Sequence, residues 1–270
     1  SSLEGLSNLN SLVTVDLNNI AKVTSIDPVL NKSSLQKLIF TNSGVEGEID
    51  LSNLPALKEA AGFKSKITGL KFGANNDKLY LIRMADIPTL TKVEGVENLT
   101  CQEDNGVDLR LNNTGITSLE VTGGYFEQIQ MTGAGSLTNV SIGDGVSAIK
   151  TLNLSNSTKV TSVSLPSSGK SMGTLNLSGA TGITSITNLD KQLGTLTTLY
   201  IDGKSLTGTT ALDLSSNSAL TTLSLANLPE TEVKLPTSGS TLTSLTLNNV
   251  KTSDELDLAN YTALTSLALT

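Results

Sequence analysis

Few residues of this sequence have the chemistry that catalysis or metal binding requires. The 270 residues include no His and a single cysteine, Cys101, so the commonest general base and thiolate zinc sites are excluded. Without His, a serine nucleophile would need a lysine base, and Lys150, Lys170 and Lys204 lie near serines only because serine is abundant. Glu103 and Asp104 lack the ligand spacing of a calcium loop, which favours a solvated acidic loop. We predict a protein that is not an enzyme and has no metal or cofactor.

A second group of residues could bind a ligand rather than transform one. Thr, Ser and Asn prevail at the outward positions of the predicted strands. In the middle of the chain, longer polar side chains replace them at Arg83, Asp108, Arg110, Glu127, Gln128 and Gln130, and Tyr200 with Asp202 is a second candidate pair. Arginine is enriched where interfaces carry binding energy. We predict ligand binding at these residues; the alternative, in which the charges only pair across neighbouring strands, stays open.

A repeat that runs along almost the whole chain must position these side chains. Its core, LxxLxL, is clearest in LTTLYI, LTTLSL and LTSLTL, which begin at Leu196, Leu220 and Leu242. The same register places the other starts at Leu12, Leu35, Leu57, Leu79, Gly106, Phe126, Ile149, Met172 and Leu264, with spacings of 20 to 27 residues. Because such a short unit buries its apolar face only against its neighbours, the repeat predicts one stacked solenoid of about 12 coils.

Apolar residues within each repeat fall in two alternating pairs. The fourth and sixth positions form the first pair, as in Leu199 with Ile201, Leu223 with Leu225 and Leu245 with Leu247, and a second pair follows about 11 residues later, as in Leu212 with Leu214, Val233 with Leu235 and Leu256 with Leu258. Alternate residues of a strand point to opposite faces. We therefore predict a mainly β fold with two short parallel strands per coil and little helix.

Asparagine and glycine mark the corners between these strands. The eighth repeat position holds Asn19, Asn42, Asn113, Asn156, Asn227 and Asn249, or glycine at Gly133, Gly179 and Gly203. An inward ladder of asparagine side chains is one interpretation, and a turn that accepts Asn or Gly is the other. The turn is favoured, because glycine has no side chain with which to build a ladder.

The third repeat position carries a row of hydroxyl side chains in the second half of the chain. Its members are Thr151, Thr174, Thr198, Thr222, Ser244 and Ser266. Such a row could bind sugar or ice, but Thr also suits exposed strand positions without any ligand. The second interpretation is favoured.

Four phrases carry a resemblance to a known family. They are IDLSNLPALKEAAGF (49 to 63), LNLSNSTKVTSVSL (152 to 165), LDLSSNSALTTLSL (212 to 225) and LDLANYTALTSLAL (256 to 269). They resemble the Thr-, Ser- and Asn-rich leucine-rich repeats of bacterial cell-surface proteins from gut and oral anaerobes, and more distantly internalins. The resemblance covers about residue 12 to 270, although the recurring Asn falls one place earlier than in the usual LxxLxLxxN pattern. It implies a right-handed solenoid outside the cell that recognises protein or glycan without catalysis.

These observations lead to one expected organisation. We expect a single leucine-rich-repeat domain over 1–270, with an N-terminal edge at 1–11, a protruding loop at 94–105 and a C-terminal end that is uncapped, and is therefore truncated or covered. The net charge of −7 disfavours nucleic acid as a partner, and no apolar run is long enough to span a membrane.

The expected role is binding of protein or glycan on the sheet face by a secreted or cell-surface protein, as an adhesin or an accessory lipoprotein. One alternative is a structural spacer or subunit of a cell-surface or outer-membrane nutrient-uptake complex. A second is ice binding through the Thr row.

Overall fold

The computed structural model describes residues 3–203, 206, 211–237, 241–252 and 256–270. In chain order the strands are β1 (Thr14–Asp16), β2 (Lys37–Ile39), β3 (Glu46–Asp50), β4 (Glu59–Ala61), β5 (Lys66–Lys71), β6 (Leu81–Arg83), β7 (Lys92–Glu94), β8 (Val107–Arg110), β9 (Ser118–Val121), β10 (Gly124–Gln130), β11 (Asn139–Ile142), β12 (Val146–Asn153), β13 (Ser162–Ser164), β14 (Thr174–Leu177), β15 (Ser185–Thr187), β16 (Thr198–Asp202), β17 (Ala211–Asp213), β18 (Thr222–Lys234), β19 (Ser244–Thr252) and β20 (Ser266–Leu269). Short 3-10 helices cover Glu4–Asn8, Asp27–Val29, Val96–Asn98, Glu103–Asn105 and Leu189–Gln192. Among the described residues, no helix has the length and apolarity needed to cross a membrane.

The strands form a parallel β-solenoid of about 11 turns, close to the predicted 12, and only 7% of the chain is helical. One strand from each coil joins the main sheet, in the order β1-β2-β4-β6-β8-β10-β12-β14-β16-β18-β19-β20. The opposite side, called here the second face, is built from the separate sheets β3-β5-β7 and β9-β11-β13-β15, while β17 pairs with the far end of β18. The predicted mainly β solenoid with parallel strands is confirmed.

The core is one continuous column of aliphatic side chains between the two faces. It runs without interruption from Val15 to Leu247. Leu199 and Leu223 stand in register on neighbouring strands and are fully buried, as the fourth repeat position predicts. Burying one such side chain contributes roughly 2 kcal/mol, so twenty or more of them dominate the stability of the stack. In the last strand, by contrast, Leu267 and Leu269 are 46% and 47% exposed.

The corner at the eighth repeat position is a left-handed turn, which confirms the favoured interpretation. Positive φ angles are found at Asn19, Asn42, Lys64, Asp86, Asn113, Gly133, Asn156, Gly179, Asn227 and Asn249, but not at Gly203. The Asn42 N–H donates to the Phe63 carbonyl of the next coil over 2.6 Å. The asparagine side chains lie outside the column: Asn42 Nδ2 donates to Asn19 Oδ1 over 2.7 Å in an exposed pair. No inward asparagine ladder is formed by the described residues.

Threonine hydroxyls instead connect successive coils, which the sequence did not indicate. At the second repeat position each Oγ1 donates to a backbone carbonyl one coil earlier: Thr197 to Gly173, Thr221 to Thr197, Thr243 to Thr221 and Thr265 to Thr243, over 3.0 to 3.1 Å. A matching ladder on the second face runs from Thr138 to Thr117, Thr161 to Thr138 and Thr184 to Thr161. Thus much of the threonine content secures coil stacking at the corners.

The segment 94–105, which we expected to protrude, is anchored in the core. Val96, Leu99 and Cys101 are 0 to 3% exposed, and the Leu99 carbonyl accepts a hydrogen bond from Tyr125 N–H over 2.9 Å. The continuous exposed stretch of this segment is Gln102 to Asn105. The segment continues from β7 within the same coil, and β7 and β9 belong to separate sheets.

Two adjacent threonines provide a test of the hydroxyl ladder. Thr221 donates to the Thr197 carbonyl, whereas the Thr222 hydroxyl has no partner among the described residues. Thr221→Val should lower the free energy of unfolding by about 0.5 to 1 kcal/mol, because it removes a hydrogen bond at nearly constant shape. Thr222→Val, the matched control, should change it by less than about 0.5 kcal/mol. Equal effects in urea denaturation would contradict the ladder.

The left-handed corner is tested at Lys64, whose φ of 54° strains a residue with a Cβ. Its ammonium also lies 5.1 Å from the centre of the Phe63 ring. Both Lys64→Gly and Lys64→Ala lose this cation contact, but only glycine relieves the strain. We expect the glycine variant to be more stable than the alanine variant by about 1 kcal/mol, measured by denaturation. An alanine variant as stable as the glycine variant would show that the turn is unstrained.

Candidate functional site

Three neighbouring strands bring most of the predicted site residues together on the outer face of the main sheet. Arg83 of β6 stands in register with Arg110 of β8, which stands beside Gln130 of β10. Asp108 pairs in the same way with Gln128. Adjacent parallel strands lie about 4.8 Å apart, so these five residues form one contiguous surface, called here the central patch.

Asp108 and Arg110 neutralise each other within the central patch. Arg110 Nε lies 2.9 and 3.0 Å from the two Asp108 oxygens, and Nη2 donates to Oδ2 over 2.7 Å. The hydrogen bonds that Arg110 donates to this carboxylate are the main cause that raises the pKa of Arg110. The pair lies along one strand, two residues apart, rather than across strands as the alternative interpretation supposed. Neither charge is therefore fully available to a ligand.

Other polar side chains of this region also contact one another. Gln130 Nε2 donates to Gln128 Oε1 over 2.5 Å. Glu127 occupies a bulge, where the register shifts between Phe126 and Gln128, and its Oε2 lies 2.7 Å from Lys150 Nζ. The structure thus pairs Glu127 with a lysine of the next coil and does not include it in the central patch.

Arg83 is the exception in the central patch. Its side chain is exposed, and its guanidinium has no hydrogen bond or ion pair with the residues that the structure describes. The fifth-position row beside it continues through Ala61 and Ile39, in register on β4 and β2. Leu81, on its own strand, is half-buried. An unpaired cation therefore borders a small aliphatic surface.

A hydrogen-bonded group on the other side of this surface was not singled out from the sequence. Lys37 Nζ lies 2.7 Å from Glu59 Oε2, and Tyr80 OH donates to Glu59 Oε1 over 3.3 Å. The hydrogen bond from Lys37 is the main cause that lowers the pKa of Glu59, and the charge of Arg83 adds to it. Opposite charges at the third position of successive repeats, Lys37 and Glu59, were the signal that could have revealed the pair.

Tyr200 and Asp202 lie on β16, three strands along the main sheet from β10. Tyr200 stands in register between Asn176 and Ser224. Asp202 Oδ1 accepts a hydrogen bond from Asn227 Nδ2 over 2.8 Å. These two residues are therefore separate from the central patch, and the carboxylate is already partnered at a coil corner.

The structure also locates the other residues considered for chemistry. The hydroxyl row from Thr151 to Ser266 is in register on consecutive strands of the main sheet. Cys101 is buried, and its burial raises the pKa of the thiol. Within the described ranges, no three His, Cys, Asp or Glu residues converge as metal ligands would. Lys204 lies outside the described residues.

Comparison with models of protein families gives no match to this chain, and comparison with curated proteins gives none either. The surface chemistry of the main sheet is therefore the basis for a functional interpretation. Three features of this surface bear on ligand binding: the guanidinium of Arg83, the aliphatic row beside it, and the polar side chains of the central patch, which pair with one another.

The Lys37 to Glu59 ion pair predicts a pH-dependent contribution to stability. Because the pKa of Glu59 is lowered in the folded state, the pair stabilises the fold above the ordinary carboxyl pKa, and the effect is lost as pH falls through the folded-state value. In Lys37→Met, an NMR titration should show a higher pKa for Glu59 than in the wild type. Lys66→Met, on the second face, should leave it unchanged. An unaltered pKa in Lys37→Met would exclude the pair in solution.

Proposed function

We propose that the protein is a non-enzymatic, extracytoplasmic leucine-rich-repeat binding module, secreted or held at a cell surface, that binds a protein or a glycan on its main sheet. The observation that carries the proposal is Arg83. It is an exposed guanidinium without a partner in the described part of the chain, in a patch whose other polar groups are paired. Arginine offers a planar set of donors that suits carboxylate, sulfate and phosphate groups.

The setting of Arg83 supports recognition in two ways. Its backbone is held in a strand between β4 and β8, so the surface around it is ordered before a ligand arrives. Ala61, Ile39 and Leu81 offer apolar contact beside the charge, which is the combination that buried interface anchors use. A ligand with an acidic group next to an apolar group would match both features.

A structural role is the second candidate, and a specific observation favours it. Asp108 with Arg110, Gln128 with Gln130, and Asp202 with Asn227 form internal pairs, which leaves a largely self-satisfied surface suited to a spacer or to a subunit of a nutrient-uptake complex. Ice binding is not adopted, because the fifth-position row beside the hydroxyl row holds Asn153, Asn176 and Tyr200 rather than further threonines.

The binding proposal is tested with the purified protein on an array of acidic glycans, neutral glycans and surface proteins. We expect binding to acidic ligands, and Arg83→Ala should weaken it about 10- to 100-fold, because a charge-assisted hydrogen bond is worth about 1.5 to 3 kcal/mol. Lys159→Ala removes one exposed positive charge elsewhere and should leave binding unchanged. Binding that survives in both Arg83→Ala and Arg110→Ala would place the site elsewhere.

A structural role predicts a different result in the array experiment. A spacer or subunit should bind nothing on the array and should copurify from native membranes with a partner in fixed stoichiometry. Copurification that persists in Arg83→Ala, together with an empty array, would favour the structural role over the binding module.

A further inference from the structure

Three coils have a buried polar side chain at the same place, three residues before the first repeat position. These residues are Lys32, Asn76 and Asn217, which are 4%, 0% and 3% exposed. Each donates to a backbone carbonyl 21 to 25 residues earlier, about one turn back: Lys32 to Ser7, Asn76 to Leu51 and Asn217 to Leu196. The position therefore connects its coil to the preceding turn of the solenoid.

The two asparagines make this connection as neutral groups that are satisfied on both sides. Asn76 Nδ2 donates to the Leu51 carbonyl over 2.9 Å, and its Oδ1 accepts from Gly73 N–H over 2.9 Å. Asn217 Oδ1 accepts from Leu220 N–H over 2.8 Å in the same manner. A side-chain amide is thus sufficient for this position, and it brings no charge into the fold.

Lys32 brings a charge that the connection does not need. Its ammonium has three N–H donors, and its hydrogen bond goes to the neutral carbonyl of Ser7. Lys32 has no ion pair with any residue that the structure describes. Because a buried charge without a counter-charge is destabilising, this position favours the binding of an anion.

A small polar cavity adjoins the Lys32 side chain. It has a volume of about 190 Å³ and is lined by Ser7, Asn10, Asn31, Lys32 and Ser33. None of these lining residues is acidic. The hydroxyl and amide side chains of the other four form no hydrogen bond within the described part of the chain. The cavity therefore combines one buried cation with several neutral donors that are available to a ligand.

The number of donors indicates the kind of anion. Lys32 retains two N–H groups after its bond to Ser7, two serines add one hydroxyl each, and two asparagines add an amide each. The two oxygens of a carboxylate accept about four hydrogen bonds in total. A tetrahedral anion offers more oxygens in more directions, so sulfate or phosphate uses this set of donors more fully than a carboxylate does.

We propose that this cavity is a second binding site, which takes a tetrahedral oxyanion, sulfate or phosphate, either free or as an ester. Lys32 supplies the counter-charge, and the serine hydroxyls and asparagine amides orient the oxygens through hydrogen bonds. The site lies in the first coil, three coils before Arg83, and does not rest on the function proposed for the main sheet.

The test is an NMR titration of the whole ¹⁵N-labelled chain with sodium sulfate, compared with sodium chloride at equal ionic strength. The backbone amide of Ser33 and the side-chain amide of Asn31 should shift to saturation with sulfate and should not respond to chloride. Local shifts are the right measurement, because sulfate also stabilises proteins by exclusion from their surface, without binding.

Three variants identify the groups responsible. Lys32→Asn installs the residue that Asn76 shows to be sufficient for the fold, and it should weaken sulfate binding at least about tenfold, because a charge-assisted hydrogen bond is lost. Ser33→Ala keeps the charge and should weaken binding by a smaller factor. Arg83→Ala is the matched control and should leave the Kd for sulfate unchanged, so the result is independent of any binding on the main sheet.

The form of the anion is tested with methyl sulfate and acetate. Methyl sulfate that binds together with free sulfate supports an esterified group, and sulfate that binds alone supports a free ion. Acetate binding as tight as sulfate binding would overturn the tetrahedral assignment.

Two results would overturn the site itself. One is the absence of a saturable shift at tens of millimolar sulfate and phosphate. The other is an equal Kd for sulfate in the wild type and in Lys32→Asn, which would show that the buried ammonium takes no part in binding.

Discussion

The structure depends on one constraint: a coil of about 22 residues cannot enclose its own apolar side chains and must bury them against the coils before and after it. The parallel backbone ladder of the main sheet sets the spacing of the coils, and the inward residues of positions four and six fill the space between the faces. The other features of the fold maintain the register between successive coils. The left-handed corners turn the chain, and the threonine hydroxyls fix each corner to the coil below it.

This constraint explains why the fold could be predicted from the sequence. The spacing of Leu, Val and Ile can be read directly from the sequence. Leu199, Leu223 and Leu245 are buried, as the fourth repeat position predicts. The corner role of Asn42 and Asn113 also followed from residue type, because Asn and Gly share tolerance of positive φ. The hydroxyl ladder did not, because a threonine at an exposed strand and a threonine at a corner look alike in sequence.

The sequence predicted where the candidate site residues lie on the sheet, but not how their side chains pair. The repeat register correctly placed Arg83, Arg110 and Gln130 on adjacent strands. It could not show that Asp108 folds onto Arg110 along one strand, or that the bulge after Phe126 separates Glu127 from its neighbours. Such outcomes depend on side-chain torsions and local register shifts. The same holds for the segment 94–105, whose length predicted a loop although Leu99 proved to be core.

The hydroxyl ladder has a consequence for how such a chain can change in length. Each threonine donor finds its acceptor in the coil immediately before it, at a separation of 21 to 24 residues, and the bond makes no reference to the total number of coils. A gene duplication that adds one whole unit would meet an identical acceptor on the old unit and would offer an identical donor position to the next. A molecule built in this way can lengthen or shorten by whole units without losing the hydrogen bonds between its coils.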